Sequence, residues 1–141
     1  MIKTLRLAAI LLIGGVLTGA GAKTPPDKEA AALAVAEAWL ALVDAGDYAQ
    51  SWDEAAVLFR DSISPEQWQE VLDAVRRPLG ETRSRELLST SYWTELPGAP
   101  DGHYVLIQFD TSFENKRNSV ETITPMLDQD GKWRVSGYYI K

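Results

Sequence analysis

The sequence contains no cysteine and only one histidine. Without cysteine, the chain has no disulfide, no thiolate nucleophile and no thiolate ligand for a metal. The single histidine, His103, would need a partner carboxylate to act as a general base, and Asp101 points elsewhere on a strand or turn. We therefore expect His103 to be an exposed turn residue, and we assign no catalytic residue and no cofactor.

Basic residues are also in deficit, since 14 Lys and Arg stand against 20 Asp and Glu and the formal net charge is −6. A surface of this sign disfavours nucleic acids and anionic lipids, so we predict neither as a partner. The acidic pair Asp128 and Asp130 resembles part of a calcium loop. Gly131 stands at the next acidic position, however, and no glutamate follows at the required offset, so we predict a solvated turn and no metal.

No apolar run is long enough to cross a membrane as a helix. The longest uncharged apolar run is residues 7–17, whereas a spanning helix needs roughly 20 residues. Lys3 and Arg6 precede this run, and Ala20-Gly21-Ala22 follows it as a cleavage site. This pattern predicts a cleaved secretory signal peptide over residues 1–22 and a soluble product in the periplasm or outside the cell. An uncleaved membrane anchor is the alternative.

Removal of residues 1–22 leaves 119 of the 141 residues, and the loss of Lys3 and Arg6 shifts the formal charge from −6 to −8. A chain of this length forms one domain around one core. We predict a flexible leader over residues 23–28, which contain two prolines, and a single domain over residues 29–141.

Apolar residues at helical spacing predict three helices in the first half of the chain. The first begins near Asp27 and ends at Gly46. Asp47 caps the second helix, Ser64 caps the third, and Gly80 ends the third. Three tryptophans lie on the inward stripes and are expected in the core: Trp39, Trp52 and Trp68.

After Gly80 the helical spacing gives way to alternation, which predicts four strands. Residues 83–96 form the first strand, residues 103–113 the second, and residues 121–141 a closing hairpin. Helices followed by a strand meander predict an α+β fold, in which three helices pack on a curved four-stranded antiparallel sheet and form a cone.

Six short stretches carry a resemblance to a known family: Ser51-Trp52, residues 77–80, residues 96–102, residues 111–113 with Lys116, Glu121-Thr122, and residues 133–140. In these stretches the chain resembles a bacterial exported family of unknown function, DUF4019, within the nuclear-transport-factor-two-like group of cystatin-like folds. The resemblance implies an exported protein with a cone fold and a cavity between sheet and helices. It implies no particular reaction or catalytic residue.

The closing hairpin has a register that its side chains determine, because a slip of one residue moves every side chain to the other face. A three-residue loop at residues 129–131 gathers the apolar side chains on one face. It gives the pairs Leu127–Trp133, Pro125–Val135, Ile123–Gly137 and Glu121–Tyr139. Pro125 has no N–H to donate, so a bulge there would shift the faces on one side of it.

A polar strip at one end of this apolar face is the candidate site. The same register places Thr111 opposite Glu121, beside Tyr139. A buried carboxylate needs a hydrogen-bond or ionic partner, which the two hydroxyls or Lys116 would supply. We predict that the strip anchors a ligand in an apolar pocket. The alternative is that Glu121 lies near solvent, paired with Lys116 or Arg117.

Two aromatic residues and four arginines are further candidates. We expect Trp52 or Tyr48 to border any cavity. Four arginines surround Gly80: Arg76, Arg77, Arg83 and Arg85. They could bind an anion, but we expect them to cap the third helix and to pair with Glu81 or Glu86.

These features favour a non-enzymatic exported protein that binds a small apolar or amphipathic molecule, or a protein partner through its sheet. One alternative is a small isomerase or dehydratase with Glu121 as base and Tyr139 as oxyanion donor. Another is a structural module that forms a homodimer through the outer face of its sheet, where Tyr138 and Ile140 would be exposed in a monomer.

Overall fold

The computed structural model describes residues 26–141, so the predicted signal peptide and residues 23–25 of the predicted leader lie outside the described residues. The first helix begins at Pro26, so residues 26–28, predicted as leader, are helical. The elements in chain order are α1 (Pro26–Asp44), α2 (Tyr48–Asp53), α3 (Val57–Ser62), α4 (Pro65–Val75), a short 3-10 turn (Arg77–Leu79), β1 (Thr82–Trp93), β2 (Tyr104–Phe113), β3 (Lys116–Leu127) and β4 (Trp133–Ile140).

The four strands form one antiparallel sheet in the order β1-β2-β3-β4. The helices pack on the face of the sheet that carries the buried side chains of Val105, Ile107, Ile123 and Val135. Apolar residues at every second position put one face of the sheet in the core, where the helix stripes cover it. The predicted α+β class is confirmed.

The second predicted helix is two helices, because the chain leaves the helical conformation between α2 and α3. Ala56 is extended, with φ −61° and ψ 153°. Its N–H donates to the carbonyl oxygen of Val135 on β4 at 2.8 Å. A hydrogen bond to the edge of the sheet therefore replaces a helical one. Asp47 is the N-cap residue of α2, as predicted, but its side chain makes no capping hydrogen bond.

The third predicted helix is α4, and its start is as expected. Ser64 Oγ accepts from the Gln67 N–H at 3.1 Å, and Gln67 Oε1 accepts from the Ser64 N–H at 3.1 Å. Pro65 occupies the first helical position, where its missing N–H costs nothing. This reciprocal cap satisfies two donors that would otherwise lack partners at the helix start.

An aromatic cluster fills the space between the helices and the sheet. The ring of Trp68 lies 5.9 Å from that of Trp39 and 4.8 Å from that of Phe59, and Trp39 meets Tyr138 of β4 edge-on at 5.3 Å. Ser51 is buried among these rings and satisfies two indoles, because its hydroxyl accepts from Trp68 at 2.9 Å and its carbonyl accepts from Trp39 at 2.8 Å. The core predictions for Trp39 and Trp68 are confirmed.

The closing hairpin follows the predicted register near its turn and departs from it at Pro125. Leu127 pairs with Trp133 and Pro125 with Val135, as predicted. An irregularity between Thr124 and Pro125 then shifts the register by one residue. Ser136 is the extra residue in β4, and its hydroxyl donates to the Thr124 carbonyl at 2.8 Å.

Beyond this bulge the predicted pairs are wrong. Tyr138 pairs with Ile123, Tyr139 with Thr122, and Ile140 with Glu121. Tyr138 therefore points into the core, where it is 4% exposed, and Tyr139 is 49% exposed. The predicted exposure of Tyr138 on the outer face is wrong for the same reason.

Candidate functional site

Glu121 lies in β3 and is fully buried, with 0% of its surface exposed. Its Oε1 accepts from Arg85 Nε at 2.7 Å and from the Thr111 hydroxyl at 2.5 Å. Its Oε2 accepts from Arg85 Nη2 at 3.2 Å and from the Tyr138 hydroxyl. Each carboxylate oxygen thus has two donors, which fills the roughly four acceptor positions of a carboxylate.

Arg85 joins Glu121 to the C-terminal end of α1. Its Nη1 and Nη2 donate to the two carboxylate oxygens of Asp44 at 2.7 and 3.0 Å. Burial disfavours the charged form of Arg85, but its hydrogen bonds to Asp44 and Glu121 outweigh burial and raise the pKa of the guanidinium above its ordinary value. One fork-shaped cation therefore connects two carboxylates from different layers of the fold.

Asp44 has a second set of donors. Arg76 Nη2 lies 3.0 Å from Asp44 Oδ1, and the Thr82 hydroxyl lies 2.9 Å from the same oxygen. Burial favours a higher pKa for Asp44, but the hydrogen bonds and charge of Arg85, with those of Arg76 and Thr82, lower it below its ordinary value. Asp44 is therefore held as an anion by two arginines.

Arg76 is itself buried and packs its guanidinium over the Phe113 ring, 4.5 Å from the ring centroid. Its Nη1 donates to the Gly80 carbonyl at 2.7 Å. We name the set Asp44, Arg76, Arg85, Thr111, Glu121 and Tyr138 the Glu121 cluster. Its two carboxylates and two guanidiniums cancel in formal charge, which makes its burial tolerable.

Chemically, the Glu121 cluster has little capacity for proton transfer. Burial, followed by the neighbouring charge of Glu121, raises the pKa of Tyr138 well above its ordinary value, so its hydroxyl stays a donor. Glu121 has no acceptor position left for a substrate proton. The contacts described here are those of a structural connection between α1 and the sheet.

Thr111, Glu121 and Tyr139 were predicted to form the polar strip. The structure brings Thr111 and Glu121 together. Thr111 and Glu121 are in direct contact, although Thr111 pairs with Ser119 across the strands and reaches Glu121 diagonally. The predicted contact between Glu121 and Tyr139 is wrong, since Tyr138 takes that place after the bulge. The shift comes from the bulge at Pro125, and neither the alternation of apolar residues nor the turn sequence determines whether that bulge forms.

Tyr48 and Trp52, predicted to border a cavity, lie in α2 away from this strip. Tyr48 is buried in the core. Trp52 is half-buried, and its indole N–H donates to the Ile63 carbonyl at 2.8 Å. Neither lines the pocket described below.

The alternative, that Glu121 lies near solvent beside Lys116 or Arg117, is wrong, since both basic residues are exposed and Glu121 is buried against Arg85. Sequence analysis missed Arg85 as the partner. The signal that could have found Arg85 is its position in β1, where it pairs with Thr111 and lies on the inward face of the sheet.

The other arginines near Gly80 behave more as predicted. Arg83 pairs with Glu81 at 3.5 Å and with Glu114 at 3.0 Å on the surface. Arg77 pairs with Asp73 at 2.8 Å along the helix. Arg76 and Arg85 both pair with Asp44, so the expected pairing with Glu81 or Glu86 holds for Arg83 alone of the four.

His103 is half-buried, so its predicted exposed position is wrong. Its Nδ1 is hydrogen-bonded with the Tyr92 hydroxyl, and the two rings are stacked 5.8 Å apart. Lys28 Nζ lies 5.4 Å from the centroid of the Tyr92 ring. His103 therefore ties the chain before β2 to β1.

A pocket of about 560 Å³ lies at the opposite end of the closing hairpin from Glu121. It is lined by α3, by residues 100–102 before β2, and by residues 126–130 at the β3–β4 turn, together with Arg134. Leu58 and Met126, which line it, also pack against the buried Tyr104. The Tyr104 hydroxyl donates to the Pro100 carbonyl at 2.6 Å, which holds this wall of the pocket in place.

The acidic turn at the rim of the pocket is occupied by an arginine. Arg134 Nη1 donates to Asp128 at 3.0 Å and to Asp130 at 2.9 Å, and its Nη2 donates to Asp130 at 2.8 Å. The hydrogen bond from Arg134 lowers the pKa of Asp130 to about 2. Within residues 26–141, no group of three His, Cys, Asp or Glu side chains is placed to hold a metal ion.

The fold and these two features define an α+β protein with one open sheet, a buried ionic connection and an open pocket. A family model described as "Protein of unknown function (DUF4019)" matches residues 35–138, and the chain belongs to this family. The comparisons with curated proteins and with solved structures return no match. In the part of the chain from Pro26 onward, no helix is both long and apolar enough to cross a membrane.

Proposed function

We propose that the protein is a non-enzymatic binding module of the cell envelope that holds a small amphipathic molecule in the pocket beside α3. The pocket carries the proposal. Its volume of about 560 Å³ falls within the range of small-molecule sites, roughly 300–1,000 Å³. Its lining combines an apolar floor with charged groups at the rim, as such sites do.

The apolar floor comes from three separate parts of the chain. Leu58 belongs to α3, Pro100 to the loop before β2, and Met126 and Leu127 to the end of β3. Val57, at the start of α3, is 47% exposed at this site. Apolar surface that remains exposed in a concave region gains free energy when a ligand covers it, about 25 cal/mol per Å².

The proposed site differs from the one expected at the sequence level. Glu121 in the polar strip is buried and accepts from Tyr138, whose ring meets Trp39 in the aromatic cluster between sheet and helices. The pocket lies at the other end of the same hairpin. The ligand would therefore contact the outside of the fold near the β3–β4 turn.

The alternative of a small enzyme with Glu121 as base gains no support from the geometry. A general base needs an acceptor position within hydrogen-bond reach of the substrate proton. Both oxygens of Glu121 already accept two hydrogen bonds each, from Arg85, Thr111 and Tyr138.

The alternative of a homodimer through the outer face of the sheet is less well supported by the structure than by the sequence. It relied on exposed Tyr138 and Ile140, whereas Tyr138 is buried and Ile140 is half-buried. Tyr139 is the large aromatic residue exposed there. A single exposed ring among polar neighbours is ordinary for a protein surface.

Residence in the envelope rests on the basic start, apolar run and small residues of residues 1–22. Expression of the full chain in a bacterial host, followed by fractionation and intact mass, tests it. We expect a periplasmic or secreted product that has lost residues 1–22. An intact chain in the cytoplasm would contradict this part of the proposal.

The binding proposal is tested with three probes that share one alkyl chain: octanol, octylammonium and octanoate. Isothermal titration of the purified protein should detect binding of at least one of them. Val57→Trp places a bulky ring in the pocket and should abolish that binding. Leu88→Trp is the matched control, because Leu88 is similarly exposed at 55% and does not line the pocket.

Two results would count against the pocket as a binding site. One is the absence of binding for all three probes at millimolar concentration. The other is equal binding by wild type and Val57→Trp, which would place the site elsewhere on the protein.

A further inference from the structure

The inference developed here rests on the proposed function and concerns the charge of the ligand. We infer that the pocket beside α3 selects a cationic amphiphile, an unbranched alkyl chain that ends in an ammonium group.

The charged side chains that line the pocket are predominantly acidic. Four are aspartates, namely Asp61, Asp101, Asp128 and Asp130, and two are arginines, namely Arg60 and Arg134. The lining therefore has a formal charge of −2. A ligand with a positive end group meets a favourable potential here, and an anionic one meets an unfavourable potential.

The internal contacts of the pocket show which charges are free to act on a ligand. Arg134 donates all of its described ionic hydrogen bonds to Asp128 and Asp130, so these three groups largely satisfy one another. Asp61 and Asp101 make no ion pair with any residue in the range 26–141. Both are exposed carboxylates at the rim.

Arg60 is the one cation of the lining that lacks an ionic partner among the described residues, but its Nε is engaged. It donates to the Ala55 carbonyl at 3.1 Å, which directs the side chain back toward the link between α2 and α3. Arg60 also stands next to Asp61 in the sequence. Its charge therefore offsets only part of the acidic rim.

The apolar floor of the pocket determines the apolar part of the ligand. Leu58, Met126 and Leu127 offer aliphatic side chains from different elements, and Met126 is an unbranched side chain that adapts to varied shapes. An alkyl chain of several carbons can lie on this floor while its ammonium group reaches Asp61 or Asp101. The formal charge of the whole chain, −6, favours the approach of such a cation.

The test measures the affinities of octylammonium, octanol and octanoate for wild type and for the double variant Asp61→Asn/Asp101→Asn. For wild type we expect octylammonium to bind roughly tenfold more tightly than octanoate. In the double variant we expect octylammonium to weaken by about threefold for each carboxylate removed, with octanol unchanged. Added salt should weaken octylammonium binding to wild type more than octanol binding.

A matched control separates a local effect from the loss of net charge. Asp53→Asn/Asp110→Asn also removes two exposed carboxylates, and neither residue lines the pocket. It should leave octylammonium affinity within about twofold of wild type. Equal weakening by both double variants would overturn the inference, because long-range charge alone would then explain the preference.

The outcomes distinguish this inference from the proposed function. If octanoate binds as tightly as octylammonium, or if Asp61→Asn/Asp101→Asn leaves octylammonium affinity unchanged, the inference is overturned and the binding module stands. If no probe binds wild type, both fall. Preferential binding of octylammonium that depends on Asp61 and Asp101 supports both.

Discussion

Replacing Arg85 with methionine should destabilise the fold more than the same replacement at the other partly exposed arginines. Arg85 is the cation that lies against Glu121, and its side chain is only 16% exposed. Its removal leaves the Glu121 carboxylate fully buried with two hydroxyl donors and no positive partner in contact. Asp44 loses less, because Arg76 and Thr82 still donate to it.

Breaking a buried ion pair by removal of one partner costs about 3–5 kcal/mol, because the remaining charge is uncompensated. A domain of this size has a total stability of about 5–15 kcal/mol, so Arg85→Met should remove a large fraction of it. Urea unfolding followed by tryptophan fluorescence measures the change. Trp39 and Trp68 lie in the core and report global unfolding.

A double-mutant cycle separates the charge effect from lost packing. Arg85→Met/Glu121→Gln should be more stable than Arg85→Met, because no buried carboxylate then lacks a cation. Arg83→Met is the control, since Arg83 forms exposed pairs and should cost less than about 1 kcal/mol. If Arg85→Met costs no more than Arg83→Met, or if the double variant loses the sum of the two single losses, the argument is refuted.

Three further predictions concern single residues. Tyr138→Phe should lower the free energy of unfolding by about 2 kcal/mol, because it removes a donor to buried Glu121. Tyr139→Phe should change the free energy of unfolding by less than about 0.5 kcal/mol. Urea unfolding of both variants checks this. Ser51→Ala should cost about 1–3 kcal/mol, since a buried indole N–H loses its acceptor, and a change below about 0.5 kcal/mol in thermal unfolding would contradict it. The pKa of Asp44 is lowered in the folded protein, so its contribution is present above the unfolded value of 3.8 and is lost as the pH falls through the folded value. Asp44→Asn should therefore make stability less dependent on pH below about 4, and an unchanged acid profile would show that Asp44 is not held as an anion.

The helices and strands were largely predictable because local patterns determine them. The cap at Ser64 and Gln67 and the alternation of β2 each depend on residues a few positions apart. The split between α2 and α3 was not predictable in this way. It depends on the hydrogen bond from Ala56 to Val135, which lies far along the chain.

The candidate site was partly predictable for a related reason. Thr111 and Glu121 share an apolar face, and alternation alone places them there. The choice between Tyr138 and Tyr139 depends on the bulge beside Pro125, and a proline shows where a bulge is permitted but not whether it forms. Arg85 comes from the far strand β1, whose register with β2 contains two irregularities.

The pocket beside α3 could not be found from the sequence because its walls come from three distant segments. Val57 and Leu58 lie in a short helix, and Met126 and Leu127 lie at the end of a strand. Only the tertiary structure brings these segments together. The same holds for the acidic rim, because Asp61 and Asp101 are 40 residues apart in the chain.

The most direct test of the central claim is a nitrogen-proton NMR titration of the purified protein with octylammonium. We expect amide shifts at Gly102, Met126 and Leu127, which line the pocket, and none at Thr111 or Glu121. Shifts confined to Thr111, Glu121 and their neighbours would contradict it. They would place the ligand between the helices and the sheet, at the Glu121 cluster.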